Sequence, residues 1–146
     1  MGERARAAGS GAVAAAVWAV QEPLDQRLLR CDYSDVAILG KAVTRGAGWR
    51  SVGLALHVTN GALFGLAYHQ ARQVIPGADA RRLALGMALA EHVALYPLCY
   101  LIDRYHPARG TPGIPPLLTN PRAFAQATWR HAVFGLVLDA LARPRR

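Results

Sequence analysis

Lysine is nearly absent from this chain: of seventeen basic residues, Lys41 alone is lysine. That bias is a mark of a GC-rich genome and carries no function. Acids are scarce as well, nine against seventeen, which leaves a net charge of +8. The excess does not call for nucleic acid. Its arginines flank apolar runs, where they meet lipid phosphates and set orientation, and they form no stripe interleaved with stacking aromatics. Cysteine is limited to Cys31 and Cys99, with no CxxC and no Cys/His zinc spacing. Cys99 lies in an apolar run, where a cysteine acts as a small hydrophobe. The chain also lacks a P-loop, a GxSxG, an HExxH and a GxGxxG in a strand context, which argues against a nucleotide-dependent or hydrolytic enzyme.

The most telling absence is local. Residues 51–71 hold no formal charge between Arg50 and Arg72. At ~1.5 Å rise per residue, a helix of that length covers the ~30 Å hydrocarbon core of a bilayer, whereas a soluble helix needs a charged outer face. Two more segments repeat the pattern. Residues 83–102 lie between Arg81-Arg82 and Asp103-Arg104 and contain one charge, Glu91. Pro97 inside this run is expected to kink the helix and not to end it. Residues 123–142 follow the helix start Asn120-Pro121 and end at Arg143-Pro-Arg-Arg146; this is the most polar run, with Gln126, Arg130, His131 and Asp139.

A weaker alanine-rich stretch, Ala7 to Val20, extends to about Leu24 and supplies a span over residues 5–24. Its alternative is a signal peptide cleaved after Ala19. The expected fold is therefore all-α: one integral membrane domain over residues 1–146, a four-helix transmembrane bundle with a long first outer loop and a Pro-rich second one. The rival is a soluble helical bundle, since the fourth segment is polar enough to be amphipathic. The first loop, residues 21–50, contains Asp35-Val-Ala-Ile-Leu-Gly-Lys-Ala-Val, which suits a short helix at the membrane surface. The second, His106 to Pro121, has five prolines and two glycines and reads as ordered but non-helical. Arginine counts in the short flanks place both termini in the cytoplasm, with the bacterial inner membrane as location. Trp18, Trp49 and Tyr105 suit aromatic belts near the headgroups, and His69 and His106 are expected to be solvated.

Counting inward from one face brings polar residues of three spans to similar depth, ~9 to ~17 Å at ~1.5 Å per residue. They are His57 and Asn60, then Glu91, His92 and Tyr96, then Arg130 and His131. A charge at a span centre costs ~3 kcal/mol unless it is paired, so Glu91 and Arg130 are the expected ion pair. In the plainer reading the cluster glues helices together through bonds worth ~0.6 kcal/mol each. In the other it surrounds a metal, a haem b or a proton in transit. For a metal the candidates are His57, Glu91, His92 and His131, although no HxxxH or ExxH places two ligands on one helix face. For haem they are His57 and His131 as axial ligands. Neither group is required by the sequence. Gly53, Gly61 and Gly65, in line with His57 at i, i+4 steps, form a ridge that admits a close neighbour, from the same chain or a second copy. Asp139, four residues before Arg143, is placed to pair with it. Glu22 and Asp25 lie near the outer arginines, with no contact fixed by the sequence.

The segments Val-Trp18-Ala-Val-Gln-Glu-Pro, His57-Val-Thr-Asn-Gly, Ala-Glu91-His and Ala-Thr-Trp129-Arg-His131 resemble those of small multi-pass membrane proteins of high-GC bacteria. The resemblance covers most of the chain and implies no activity, cofactor or catalytic residue. The expected partners, from the charge pattern and the glycine ridge, are the lipid bilayer and a second copy or another membrane protein, with no nucleic acid. An accessory or structural role is the leading expectation.

Overall fold

The computed structural model describes residues 2–143, so Arg145 and Arg146 of the expected cytoplasmic tail lie outside the described residues. The described chain is helical with no strand: α1 Glu3–Leu29, α2 Asp35–Val43, α3 Trp49–Val74, α4 Ala80–Leu95, α5 Cys99–Tyr105 and α6 Pro121–Ala142. A single 3-10 turn, Tyr96–Leu98, joins α4 to α5. Pro97 lacks the N–H for an α bond, so the helix tightens there and then resumes. The unit Ala80–Tyr105 is the one helix among the described residues that is long and apolar enough to cross a membrane, with a mean hydropathy of 1.5.

Side-chain caps fix three of the helix starts. Ser34 Oγ accepts from Ala37 N, Asp79 from Arg82 N, and Asn120 from Arg122 N and Ala123 N; each satisfies amides that have no helical partner. Arg30 ends α1 in the left-handed region at φ 51°, which turns the chain back so that α2 packs beside the bundle.

Small residues decide the packing. α1 lies along α3 with Gly11 against Gly61 and Gly65, and α2 lies along the first turns of α3 with Gly40 against Gly53. A Cβ added at Gly11 would collide with the Gly61 carbonyl, and one at Gly53 with the Val36 carbonyl. The Gly53-Gly61-Gly65 ridge is thus occupied from within the chain, by α1 and α2. On its other side α1 meets α6, and α6 meets α4; α3 and α4 touch only sparingly, which leaves a cleft between them. At one end of the bundle Arg6, His69, Arg72, Ala80 and Arg143 line a common depression, so the start of α1, the end of α3, the start of α4 and the end of α6 share that end.

Several charged and polar groups are buried while large apolar side chains lie on the surface. Arg130 and Gln126 are 0% exposed and Asp25 and Asp139 2%, whereas Val20 is 80%, Val93 62% and Trp129 51% exposed. On α1 the buried positions are Ala7, Ser10, Gly11, Ala14, Ala15, Trp18, Glu22 and Asp25, while Val13, Val17, Val20, Leu24 and Leu28 face outward. Two expectations are corrected here. Trp18 is a core residue packed against His57, His131 and Phe134 and not a belt residue. His106 is buried and not solvated, because its Nε2 meets the Ile38 carbonyl at 2.9 Å and its Nδ1 accepts from Ala108 N, which ties the Pro-rich loop to α2.

Candidate functional site

Arg130 sits in mid-α6, where a lone guanidinium costs several kcal/mol. The cost is met by carboxylates from α1 and α2. Its Nε donates to Asp25 Oδ2 at 2.7 Å and its Nη2 to Asp25 Oδ1 at 2.6 Å, a bidentate fork. Its Nη1 donates to Asp35 Oδ2 at 2.9 Å and to Glu22 Oε1 at 3.4 Å, and Nη2 also donates to the Tyr33 carbonyl at 2.9 Å. The guanidinium lies 4.8 Å from the Tyr33 ring centroid, within cation–π range. Gln126, one turn earlier, donates to Asp25 Oδ1 at 2.5 Å. The expected Glu91–Arg130 pair does not form: every nitrogen of Arg130 is engaged by Glu22, Asp25, Asp35 or Tyr33.

The acids are themselves positioned. Glu22 Oε2 accepts from Ser34 Oγ at 2.7 Å and Glu22 Oε1 from Asp35 N at 3.0 Å, so a carboxylate caps the positive end of α2. Asp35 accepts from Trp18 Nε1 at 3.0 Å and from the Tyr33 hydroxyl. Burial would raise the Asp35 carboxyl, but the Arg130 guanidinium, His57 and the Tyr33 hydrogen bond hold it below the ordinary carboxylate value. Tyr33 is pushed well above the ordinary phenol value by burial and by the Asp35 carboxylate beside it.

Next to this lock lies a chamber of about 280 Å³. It gathers six of the seven residues expected to cluster, His57, Asn60, Glu91, His92, Tyr96 and His131; Arg130 is the one that does not line it. His131 and His57 both pack edge-on against Trp18, at 4.6 and 5.2 Å between centroids, and His92 stacks on His131 at 4.8 Å. Trp18, Phe64 and Phe134 supply aromatic wall, and Asp35 joins the chamber to the lock. Among the described residues no three His, Cys, Asp or Glu come together to hold a metal, the set His57, Glu91, His92 and His131 included. At the far end of the bundle Asp139 pairs with Arg143 at 2.6 Å and meets Arg81 at 3.7 Å.

Sequence reasoning missed Trp18, Tyr33 and Asp35 as wall residues, and Glu22 and Asp25 as partners of Arg130. The signal was present on α1: Gly11, Trp18, Glu22 and Asp25 recur at helical spacing with Ala7, Ala14 and Ala15, a single stripe that could only face inward. No family model, curated protein or solved structure matches this chain.

Proposed function

We propose that this is a multi-pass integral membrane protein of the bacterial inner membrane, with four spans and both termini cytoplasmic. Its role in this reading is accessory or structural, and the polar cluster at Arg130 glues its helices. The inverted burial carries the reading, because charges that face inward and valines, leucines and a tryptophan that face outward suit lipid and not water. Helix lengths agree: α1 has 27 residues, α3 26 and α6 22, or ~33 to ~40 Å at ~1.5 Å per residue against a ~30 Å core. The mean hydropathy of α1, α3 and α6 is lowered in part by the glycines and paired polar groups of their buried faces.

The test is extraction of membranes with alkaline carbonate, together with a cytoplasm-only reporter fused at the carboxyl end or after Gly113. The reading expects the protein in the pellet, an active carboxyl fusion and a silent Gly113 fusion. Recovery in the supernatant overturns it.

A haem fits the site poorly. His57 and His131 share one indole as neighbour, so Trp18 fills the space beside both imidazoles, and the chamber falls just under the about 300–1,000 Å³ of ordinary small-molecule sites. No step is assigned to it.

A further inference from the structure

Two of the imidazoles around the chamber have fixed tautomers. His131 Nδ1 lies 2.7 Å from the Ala127 carbonyl, which can only accept, so Nδ1 carries the proton and Nε2 is bare. His92 Nε2 lies 2.9 Å from Thr128 Oγ1, whose own proton goes to the Phe124 carbonyl at 2.8 Å. The hydroxyl must therefore receive, and His92 Nδ1 is bare. At His57, 7% exposed, Nε2 is buried with no hydrogen-bond partner among the described residues. A buried polar atom without a partner is costly. His131 and His92 thus offer lone pairs and no spare N–H, and His57 adds a ring nitrogen without a partner.

Glu91, half-buried on the α4 side, has no ion-pair partner among the described residues. A chamber rich in acceptors, with one unpaired carboxylate and walls of Trp18, Phe64 and Phe134, suits a donor that is cationic and partly apolar. A bare metal ion is disfavoured, since no three ligands converge.

We propose that the chamber between α3 and α4 binds a small organic ammonium ion, its N–H groups facing His57 and Glu91 and its carbon skeleton against the aromatic wall. The sparing contact of α3 with α4, where Asn60 and Leu95 are exposed at the chamber's edge, is the way in. Entry from the lipid side rests on the membrane reading above; the binding itself rests on the chamber alone.

The probe is cyclohexylammonium chloride, titrated at pH 8 into the full chain purified in mild detergent and followed by calorimetry, with cyclohexanol and zinc chloride titrated in parallel. At that pH ordinary imidazoles are neutral and the amine is charged. The expected result is saturable binding of cyclohexylammonium at least tenfold tighter than cyclohexanol, weakened at least tenfold by both Glu91→Gln and His57→Phe. Equal binding of ammonium and alcohol would overturn the proposal in favour of a merely apolar void. Tight zinc binding that displaces the amine would overturn it in favour of a metal site, and no binding of either organic probe would overturn it outright. Should a variant fail to fold, the comparison of ammonium with alcohol on the unaltered protein still decides. A negative result would leave carbonate extraction unchanged, so failure here is distinguishable from failure of the membrane reading.

Discussion

Replacing Arg130 by glutamine takes the one cation from the buried cluster and leaves Glu22, Asp25 and Asp35 facing one another. Five donor contacts between 2.6 and 3.4 Å disappear. Removing one partner of a buried ion pair costs about 3–5 kcal/mol, largely because the remaining charge stays desolvated. Asp25→Asn is expected to be costly too, since it breaks the bidentate fork. The double variant leaves no guanidinium beside a neutral amide, so its cost should fall short of the sum by about 0.5–3 kcal/mol. The assay is equilibrium unfolding of detergent-purified protein by sodium dodecyl sulfate, followed by far-ultraviolet circular dichroism. A loss below about 1 kcal/mol for Arg130→Gln, or simple addition of the two single effects, would refute the lock.

Glu91→Gln and Arg130→Gln should add simply in the same assay, because the two residues share no partner; coupling between them would restore the pairing expected from the sequence. Gly61→Val should lower stability by more than about 2 kcal/mol, since its Cβ meets the Ala15 methyl and the Gly11 carbonyl; a neutral result would mean that α1 does not lie on α3. Ser34→Ala removes both the cap of α2 and a hydrogen bond to Glu22 and should cost about 1 kcal/mol by the same unfolding titration. The Asp35 carboxyl is held below its unfolded value of about 3.9, so its stabilisation is fully present above that pH and is lost as pH falls through the lower folded value. Unfolding midpoints should therefore drop as pH falls below that unfolded value, less steeply in Asp35→Asn; equal slopes would contradict this.

Helix positions were legible because hydrophobic runs, Asn120-Pro121 and the Pro-rich loop are local signals. The 3-10 turn at Pro97 and the helix at Asp35–Val43 follow from such signals too. The chamber was legible because depth can be counted along a straight helix, which is how His57, Glu91, His92 and His131 came together on paper. Arg130's partners were not, for a geometric reason. Counting depth compared only the last three expected spans, whereas Glu22 and Asp25 sit at the outer end of α1 and Asp35 at the start of α2. Glu22 and Asp25 reach α6 because the buried stripe of α1 packs against it, and Asp35 does so only because Arg30 turns the chain back and Ser34 and Glu22 fix the start of α2. The choice between a neighbour from the same chain and a second copy at the glycine ridge was a tertiary question of the same kind.

Four helical units are proposed to face lipid, although among the described residues only Ala80–Tyr105 has the composition of a span when taken alone. Labelling with a lipid-soluble, photoactivated carbene in native membranes, followed by peptide mapping, tests it most directly. The account predicts label on outward residues of all four units, among them Val17 of α1, Leu63 of α3, Val93 of α4 and Leu136 of α6, with Arg130, Asp25 and Gln126 untouched. Label confined to Ala80–Tyr105 would contradict it.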